Sequence, residues 1–400
     1  MGRTEELIRE VDKWSAHNYH PLPVVIERGE GCWVWDVDGN RYLDMLSAYS
    51  AVNQGHRHPR IIAALKEQAD LLTLTSRAFH NDQMGAFLHQ VCELVGYPKA
   101  LPMNTGAEAV ETAIKAVRKW GYTVKGVAPD SAEIIVCENN FHGRTTTIVG
   151  FSSEGSYRDG FGPFTPGFRL IPYGDIDALA NAINENTVGF LVEPLQGEGG
   201  VVVLPDGYMK KAANLCRDAN IKLMADEIQT GLGRTGRMLC SDWDGVRPDV
   251  VMLGKALGGG VYPVSAAVAD EDVMDVFHPG DHGSTFGGNP LGAAVGRASL
   301  DVIVEEKLSE RAAELGDWFM DELRAIDSPH VAEVRGKGMM IGVVIAKTSG
   351  TARPFCEALM DRGILAKETH EQVVRFAPPL VITREILEEA LESIREVLLS

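Results

Sequence analysis

The sequence lacks long hydrophobic runs and paired cysteines, and each absence excludes a class of protein. No stretch approaches the roughly 18 consecutive apolar residues of a membrane-spanning helix, and the opening MGRTEELIREVDKW has no apolar signal-peptide core. The six cysteines stand singly without C-x-x-C spacing, which disfavours a zinc knuckle or a redox pair and predicts reduced, mostly buried thiols. We therefore expect a cytoplasmic protein with no metal site.

Basic residues are also scarce relative to acidic ones. The 38 Lys and Arg against 56 Asp and Glu leave a net charge of −18, and an acidic surface repels nucleic acid and anionic membranes. The 400 residues are otherwise ordinary, with 45% hydrophobic and 24% charged, and predict a folded chain of two or three domains. Nucleic acid and membrane are not expected partners, whereas an anionic substrate stays open because arginines in a pocket can reverse the local field.

The order of apolar and polar residues predicts the domains. The stretch CWVWDVDGNRYLDM alternates around Asp38 and Gly39, which predicts a β-hairpin. Further on, helical periods alternate with the apolar runs EIIVC, GFLV, IKLMA and DVVML, a pattern typical of a mainly parallel α/β sheet. We predict an N-terminal segment over 1–57, a large α/β domain over 58–306 and a small α+β C-terminal domain over 307–400.

Two ionisable residues follow neighbouring apolar runs. Asp226 ends the run IKLMAD, and Lys255 follows DVVMLG. Because ligands bind beyond the carboxyl ends of the strands in open α/β sheets, we expect both side chains in one cleft. Pyridoxal phosphate (PLP) needs a lysine to hold its aldehyde and a carboxylate to keep its pyridine nitrogen protonated. Taken singly, each residue has an ordinary alternative: a surface lysine, and a capping or turn aspartate.

Glycine-rich segments offer two candidate phosphate sites. Thr105, Gly106 and Ala107 precede an amphipathic helix whose N-terminus favours an anion, although a helix merely capped by Thr105 fits the pattern equally. GSTFGGNP, with Ser284 and Thr285, is the second candidate. The motif GLGRTG formally matches the dinucleotide fingerprint, but it neither follows a strand directly nor opens a helical pattern, so we reject that interpretation.

Longer strings carry a family resemblance. LMADEIQTGLGRTG followed by DVVMLGKALGGG resembles the signature of the class III, fold type I, PLP-dependent aminotransferases, from about residue 17 to the C-terminus. Within that family NYHPLPV, LTSRAF, FHGRT and VEPLQGEGG are similar to the ornithine aminotransferase branch. The resemblance implies a seven-stranded, mainly parallel sheet in the large domain, a homodimer or higher assembly, and transfer of the δ-amino group of L-ornithine to 2-oxoglutarate. Acetylornithine or 4-aminobutyrate is the alternative donor.

The resemblance also implies roles at the cofactor. Lys255 would bind PLP and then move the substrate proton, while Asp226 would pair with the pyridinium nitrogen. Gln229 would donate to the phenolic oxygen, and Phe141 would stack on the ring. Gly106 and Ala107 would bind the phosphate through their backbone N–H groups, helped by Thr285 from the partner subunit. Thr105 and Ser284, from the two glycine-rich segments, are further candidates for cofactor binding.

The substrate roles implied by the resemblance concern two carboxylates. Arg375 would bind the α-carboxylate of 2-oxoglutarate, and Glu198 would pair with Arg375 when ornithine is bound. Tyr19 and Arg144 would hold the ornithine carboxylate, with Tyr49 shaping this outer pocket.

The residue pattern also leaves some questions open. His142 stands where some family members carry Trp, so a packed, hydrogen-bonded histidine is expected there, and Glu193 is either a site wall or a structural partner. A nucleotide-dependent oxidoreductase built on GLGRTG and a non-catalytic binding protein are the alternatives from other classes.

Overall fold

The N-terminal part of the chain forms a small antiparallel sheet. The computed structural model describes residues 2–400. Its first elements are helix α1 (Arg3–Trp14), strands β1 (Ile26–Glu30), β2 (Trp33–Asp36) and β3 (Arg41–Asp44), and helix α2 (Pro59–Ala69). Strands β2 and β3 pair across a turn in which Gly39 has φ +89°, a left-handed conformation that favours glycine. Asp36 closes this turn by accepting the backbone N–H of Asn40 at 2.8 Å.

A left-handed turn over Ser47–Ser50 follows β3. All four residues have positive φ, between +44° and +72°, although none is glycine. This conformation is strained for residues with a Cβ and persists only where surrounding contacts impose it. Asp44 supplies one such contact, since its Oδ1 accepts the N–H of Ser47 at 2.8 Å.

The middle of the chain forms one large sheet covered by helices. Its helices are α3 (Met84–Val95), α4 (Gly106–Trp120), α5 (Thr146–Gly150), α6 (Gly155–Arg158), α7 (Ile176–Ala182), α8 (Tyr208–Asp218), α9 (Glu271–Met274) and α10 (Pro290–Glu305). Its strands are β4 (Lys99–Met103), β5 (Glu133–Cys137), β6 (Phe168–Ile171), β7 (Thr187–Val192), β10 (Lys222–Asp226), β11 (Val250–Leu253) and β12 (Ser265–Ala269), with the short pair β8 (Leu195–Gln196) and β9 (Val202–Val203) beside them.

The large sheet has the order β4-β12-β11-β10-β7-β5-β6. Only β12 runs antiparallel to its neighbours, so the predicted mainly parallel, seven-stranded sheet is confirmed. The four apolar runs became β5, β7, β10 and β11 because helices cover both faces, which leaves no solvent side for polar residues to occupy. Parallel pairing places Asp226 beside Met252, near the end of β11, and so brings the two strand ends to one edge.

The C-terminal part adds a second antiparallel sheet and a shared strand. Its elements are helix α11 (Leu308–Arg324), strands β13 (Val331–Lys337) and β14 (Met340–Ile345), helix α12 (Arg353–Met360), strands β15 (Ile364–Leu365), β16 (Lys367–Thr369) and β17 (Val373–Phe376), and helix α13 (Arg384–Leu399). The sheet order is β13-β14-β17-β16, whereas β15 pairs in parallel with β3. The N-terminal and C-terminal parts are therefore joined through one sheet.

Apolar packing accounts for the stability of these layers. The apolar face of α4, including Val110, Ile114 and Val117, is buried against the large sheet. All six cysteines carry free thiols, and only Cys92 is not fully buried. Within residues 2–400, no helix has the length and apolar composition needed to cross a membrane.

Candidate active site

A cavity of about 190 Å³ opens at the carboxyl edge of the large sheet. Its walls include six residues that the sequence analysis assigned to the cofactor: Gly106, Ala107, Phe141, Asp226, Gln229 and Lys255. Strand ends, a helix start and connecting loops therefore converge at one place, as expected for a ligand site of an open α/β sheet.

Lys255 lies two residues beyond the end of β11. Its backbone has φ +46°, a strained conformation for a residue with a side chain, and its side chain reaches the cavity wall. Burial lowers the pKa of the Lys255 amine, and the negative charges of Glu198 and Asp226 act in the opposite direction. A lowered pKa makes the neutral, nucleophilic amine more accessible than in an exposed lysine.

Asp226 ends β10 and is held from two sides. Its Oδ2 lies 2.7 Å from Nδ1 of His142, and its Oδ1 accepts the N–H of Ile228 at 3.1 Å. Burial lowers the pKa of His142, but the hydrogen bond and the charge of Asp226 outweigh it, so the pKa is raised. The other ring nitrogen, Nε2, is buried without a partner in the protein. The carboxylate thus points into the cavity region with its orientation fixed.

The start of α4 is suited to an anion. Thr105 caps the helix by accepting the N–H of Glu108, and the Glu108 carboxylate accepts the N–H of Thr105 at 2.7 Å. The first N–H groups of a helix have no intrahelical acceptor and are free to bind a ligand. A Cβ at Gly106 would lie 3.1 Å from Ile228, so glycine keeps the backbone approachable there. The Thr105 side chain itself is committed to the cap and does not line the cavity.

Phe141 and Glu193 form a connected part of the wall. The N–H of Phe141 donates to Oε1 of Glu193 at 2.9 Å. Burial raises the pKa of Glu193 to about 8, despite the opposing charge of His142. Glu193 therefore lines the site and also positions the backbone of Phe141, which combines the two roles that the sequence left open.

Glu198 and Arg375 form an ion pair beside the cavity. Nη1 of Arg375 donates to Oε1 of Glu198 at 2.6 Å, and Arg375 is only 1% exposed. Burial raises the pKa of Glu198, but the charges of Arg375 and Lys255 outweigh it and the pKa is lowered. Two further nitrogens of Arg375, Nε and Nη2, have no protein partner. The guanidinium therefore retains donors for a ligand.

A second cavity, of about 540 Å³, adjoins this pair and contains the three remaining substrate candidates. Tyr19, Tyr49 and Arg144 all line it. The Tyr49 ring lies 5.0 Å from the Arg375 guanidinium, and Arg144 lies 3.7 Å from the ring of Tyr157. An arginine and two phenols on one wall can hold a carboxylate.

Ser284 and Thr285 do not reach the cofactor cavity within one chain. Oγ of Ser284 accepts from Nδ2 of Asn104 at 2.9 Å, and Thr285 is exposed on the surface. Their assignment to the cofactor stays a prediction. Conversely, Ile228, Gly143 and Thr230 line the cavity without having been singled out. Ile228 and Thr230 flank the predicted Gln229, so their position in the run DEIQT was the available signal.

Comparison with known proteins agrees with this geometry. Residues 14–398 match the family described as Aminotransferase class-III. The chain belongs to the class-III aminotransferase family. As a class-III aminotransferase, it is similar to the ornithine aminotransferase of Geobacillus sp. (strain WCH70), with 59% identity over 397 residues covering 99% of each chain.

Solved structures of class-III aminotransferases resemble it closely. The ornithine aminotransferase of Toxoplasma gondii has a TM-score of 0.98 at 48% identity, covering 99% of this chain and 94% of that one. The acetylornithine aminotransferase of Elizabethkingia anophelis has a TM-score of 0.90, also at 48% identity, covering 100% of both chains.

Class-III aminotransferases use PLP, and the residues present fit it. Lys255 would hold the aldehyde carbon, Asp226 the pyridine nitrogen, and the free N–H groups of Gly106 and Ala107 the phosphate. A side chain at Gly143 would collide with Ala107 at 2.8 Å, so this part of the cavity is kept open by the absence of side chains. Together, the amine, the carboxylate and the free N–H groups suit a pyridine ring that carries an aldehyde and a phosphate.

Proposed function

We propose that this class-III aminotransferase is an ornithine δ-aminotransferase, which converts L-ornithine and 2-oxoglutarate into glutamate 5-semialdehyde and L-glutamate. The observation that carries the proposal is the Glu198–Arg375 pair: Glu198 accepts from Gln229 of the cofactor cavity at 3.4 Å, and Arg375 lies 5.0 Å from the Tyr49 ring of the outer cavity. Ornithine and 2-oxoglutarate each carry an α-carboxylate, but they react at opposite ends relative to it. An arginine that pairs with Glu198 while ornithine is bound, and is available to the α-carboxylate while 2-oxoglutarate is bound, would let one site accept both substrates.

The chain's own residues perform the acid–base work. PLP, when bound, supplies an aldehyde that takes up the amino group and a ring that accepts electrons as the neighbouring C–H bond breaks. The Lys255 amine would take the proton from the substrate carbon and deliver it to the carbon that was the cofactor's aldehyde, and its lowered pKa favours the neutral, proton-accepting form. Asp226, oriented by His142, lines the same cavity and would pair with the pyridine nitrogen.

Substrate orientation follows from where the arginines lie. With Arg375 paired to Glu198, the ornithine carboxylate is held by Arg144 and Tyr19 in the outer cavity, which leaves the δ-amine toward Lys255. When 2-oxoglutarate enters, Glu198 releases Arg375, whose fork binds the α-carboxylate. Tyr49, whose ring lies beside Arg375, lines the outer cavity and shapes it for either substrate.

We further propose a homodimer located in the cytoplasm. Thr285 is exposed in one chain and would complete the phosphate site of the partner subunit. The free thiols are in keeping with a reducing compartment.

A second donor has support from one observation. The similarity to an acetylornithine aminotransferase, at 48% identity over the whole chain, makes acetylornithine the competing donor. Both enzymes would use the same cofactor residues, so the difference lies in the outer cavity.

Two experiments test these proposals. Borohydride reduction followed by peptide mass spectrometry should place the phosphopyridoxyl label on Lys255, and a label elsewhere would refute the cofactor assignment.

A panel of ornithine, acetylornithine and 4-aminobutyrate, each with 2-oxoglutarate as acceptor, should give the highest kcat/KM for ornithine. A higher value for acetylornithine would replace the proposed donor.

A further inference from the structure

The GLGRTG loop has no role in the proposed reaction, yet it contains a completely buried arginine. Arg234 has no exposed surface, and the hydrogen-bond acceptors of its guanidinium within residues 2–400 are all neutral oxygens. Burial lowers its pKa to about 9, partly opposed by the charge of Asp44. A buried arginine without a carboxylate partner is costly, so its neutral contacts indicate what it does.

Arg234 donates hydrogen bonds to three separate parts of the chain. Its Nη1 donates to the backbone oxygens of Met339 at 2.9 Å and Pro378 at 2.7 Å. Its Nη2 donates to Oγ of Ser47 at 3.0 Å and to Oδ1 of Asn53 at 2.5 Å. The guanidinium fork therefore links the large domain to the C-terminal part and to the Ser47–Ser50 turn.

The Ser47–Ser50 turn needs external contacts because its backbone is strained. Ser47, which accepts from Arg234, also donates to the backbone oxygen of Ala377 at 2.6 Å. Tyr49 lies two residues further on, in the same left-handed turn, with φ +59°. Tyr49 therefore belongs to the same strained turn that the contacts of Ser47 anchor.

The same arginine also holds the segment that follows Arg375. Pro378, whose backbone oxygen accepts from Arg234, stands three residues after Arg375, just beyond the end of β17. One planar side chain thus spans the two segments whose side chains, Tyr49 and Arg375, face each other at 5.0 Å.

We propose that Arg234 is a positioning residue that sets Tyr49 against Arg375 and thereby controls how the outer cavity binds substrate carboxylates. It contacts no reacting atom. This inference rests on the proposed function, because it assigns carboxylate binding to Arg375 and the Tyr49 wall.

The test compares Arg234→Lys and Arg234→Gln with the matched control Arg311→Lys in the full-length, PLP-loaded protein. Arg311 donates to the backbone oxygen of Ile382 at 2.8 Å, in the same C-terminal segment, but it does not contact the turn. Neither lysine nor glutamine at position 234 can donate to all four oxygens that Arg234 contacts, because neither has a guanidinium fork. We expect KM for ornithine and 2-oxoglutarate to rise about tenfold with kcat within about threefold, because displaced carboxylate-binding groups weaken binding while the reacting groups keep their places. Arg311→Lys should keep wild-type KM values.

Hydrogen exchange of the peptide covering residues 45–53 gives a readout independent of activity. Exchange should be faster in Arg234→Gln than in the wild type and in Arg311→Lys, because the strained turn loses its clamp. Unchanged KM and unchanged exchange in a folded Arg234→Gln protein would overturn the inference, and so would equal effects in Arg311→Lys.

A second variant covers the case in which Arg234→Gln does not fold. Ser47→Ala removes one acceptor of the fork and should raise KM and exchange in the same direction, by a smaller factor; no change in either would also overturn the inference. If the wild type does not use ornithine at all, the proposed function fails, whereas the exchange comparison still decides the role of Arg234.

Discussion

At the scale of single residues, the proposed function predicts that the charge of Glu198 controls which carboxylate Arg375 binds. Glu198→Gln keeps the size of the side chain and an acceptor oxygen but removes the charge that pairs with Arg375 at 2.6 Å. Arg375 would then attract the α-carboxylate of ornithine and turn the substrate around. We expect kcat/KM for ornithine to fall about tenfold or more while that for L-glutamate is kept, since breaking a desolvated charge pair costs a few kcal/mol.

Steady-state kinetics with both amino donors checks this prediction. Glu333→Gln is the control, because Glu333 pairs with Arg335 at 2.9 Å on the C-terminal sheet and should leave both values unchanged. If the ratio of kcat/KM for ornithine to kcat/KM for L-glutamate is the same in Glu198→Gln as in the wild type, Glu198 does not control which carboxylate Arg375 binds.

A second residue-scale prediction concerns pH and Glu193. Burial raises the pKa of Glu193 to about 8. Because this exceeds the value of about 4.3 expected in the unfolded chain, the stability it contributes is complete below about pH 4 and is lost as pH rises through 8. Glu193→Gln keeps an acceptor for the Phe141 N–H but cannot ionise. We expect the fall in unfolding free energy between pH 5 and pH 8 to shrink by roughly 3 to 4 kcal/mol, because nearly three pH units of this interval lie between the two pKa values.

Urea unfolding of the PLP-free protein at several pH values measures this difference. Glu185→Gln, on an exposed loop, should leave the pH profile as it is. A profile in Glu193→Gln that parallels the wild type would show that Glu193 is not protonated in the folded state.

At the scale of elements, helix α11 packs against a turn with no room for a side chain. A Cβ at Gly316 would lie 2.1 Å from the backbone oxygen of Gly338, at the turn between β13 and β14. We expect Gly316→Ala to destabilise the protein by about 2 kcal/mol or more, because backbone atoms cannot move aside as a flexible side chain can. Gly85→Ala, in helix α3 with no atom within 4 Å, should leave stability equal or raise it by up to about 1 kcal/mol.

Thermal unfolding of the two variants distinguishes these cases. Equal melting temperatures for Gly316→Ala and Gly85→Ala would contradict the close packing of α11 on the turn.

The elements themselves were largely predictable from local pattern. GFLV, for example, lies within β7 and DVVML within one residue of β11, because a strand buried on both faces must be apolar at every position. The pairing of β15 with β3 was not predictable, since two short strands more than 300 residues apart carry no signal of their contact.

At the scale of the whole molecule, the proposed dimer predicts complementation between two defective chains. Lys255→Ala removes the amine that we propose to be catalytic, and Thr285→Ala would weaken the phosphate site of the partner subunit. In a mixed dimer one site has both Lys255 and Thr285 intact. We expect activity at limiting PLP to exceed that of either variant alone, by about threefold or more over Thr285→Ala if one lost phosphate contact costs about tenfold in affinity.

Light scattering and an activity assay after joint refolding of the two chains measure this effect. Unmixed Thr285→Ala and Lys255→Ala samples are the controls. A mixture whose activity equals the average of the separate samples would exclude a site shared between subunits.

The sequence by itself determined the parallel sheet, the positions of Asp226 and Lys255 at two strand ends, and the capped start of α4. These features depend on local composition and on residues within one element, where burial and hydrogen bonding leave a readable pattern. The family resemblance added the candidate carboxylate-binding residues.

Only the tertiary structure decided which of those residues meet. The contacts between Glu198 and Arg375, between His142 and Asp226, and between Arg234 and Ser47 join residues that are 177, 84 and 187 positions apart. Such contacts arise when sheets and loops pack, and their free energy depends on burial and geometry that neighbouring residues in the chain do not encode. The strained Ser47–Ser50 turn is the clearest case, because local preference opposes it and distant partners maintain it.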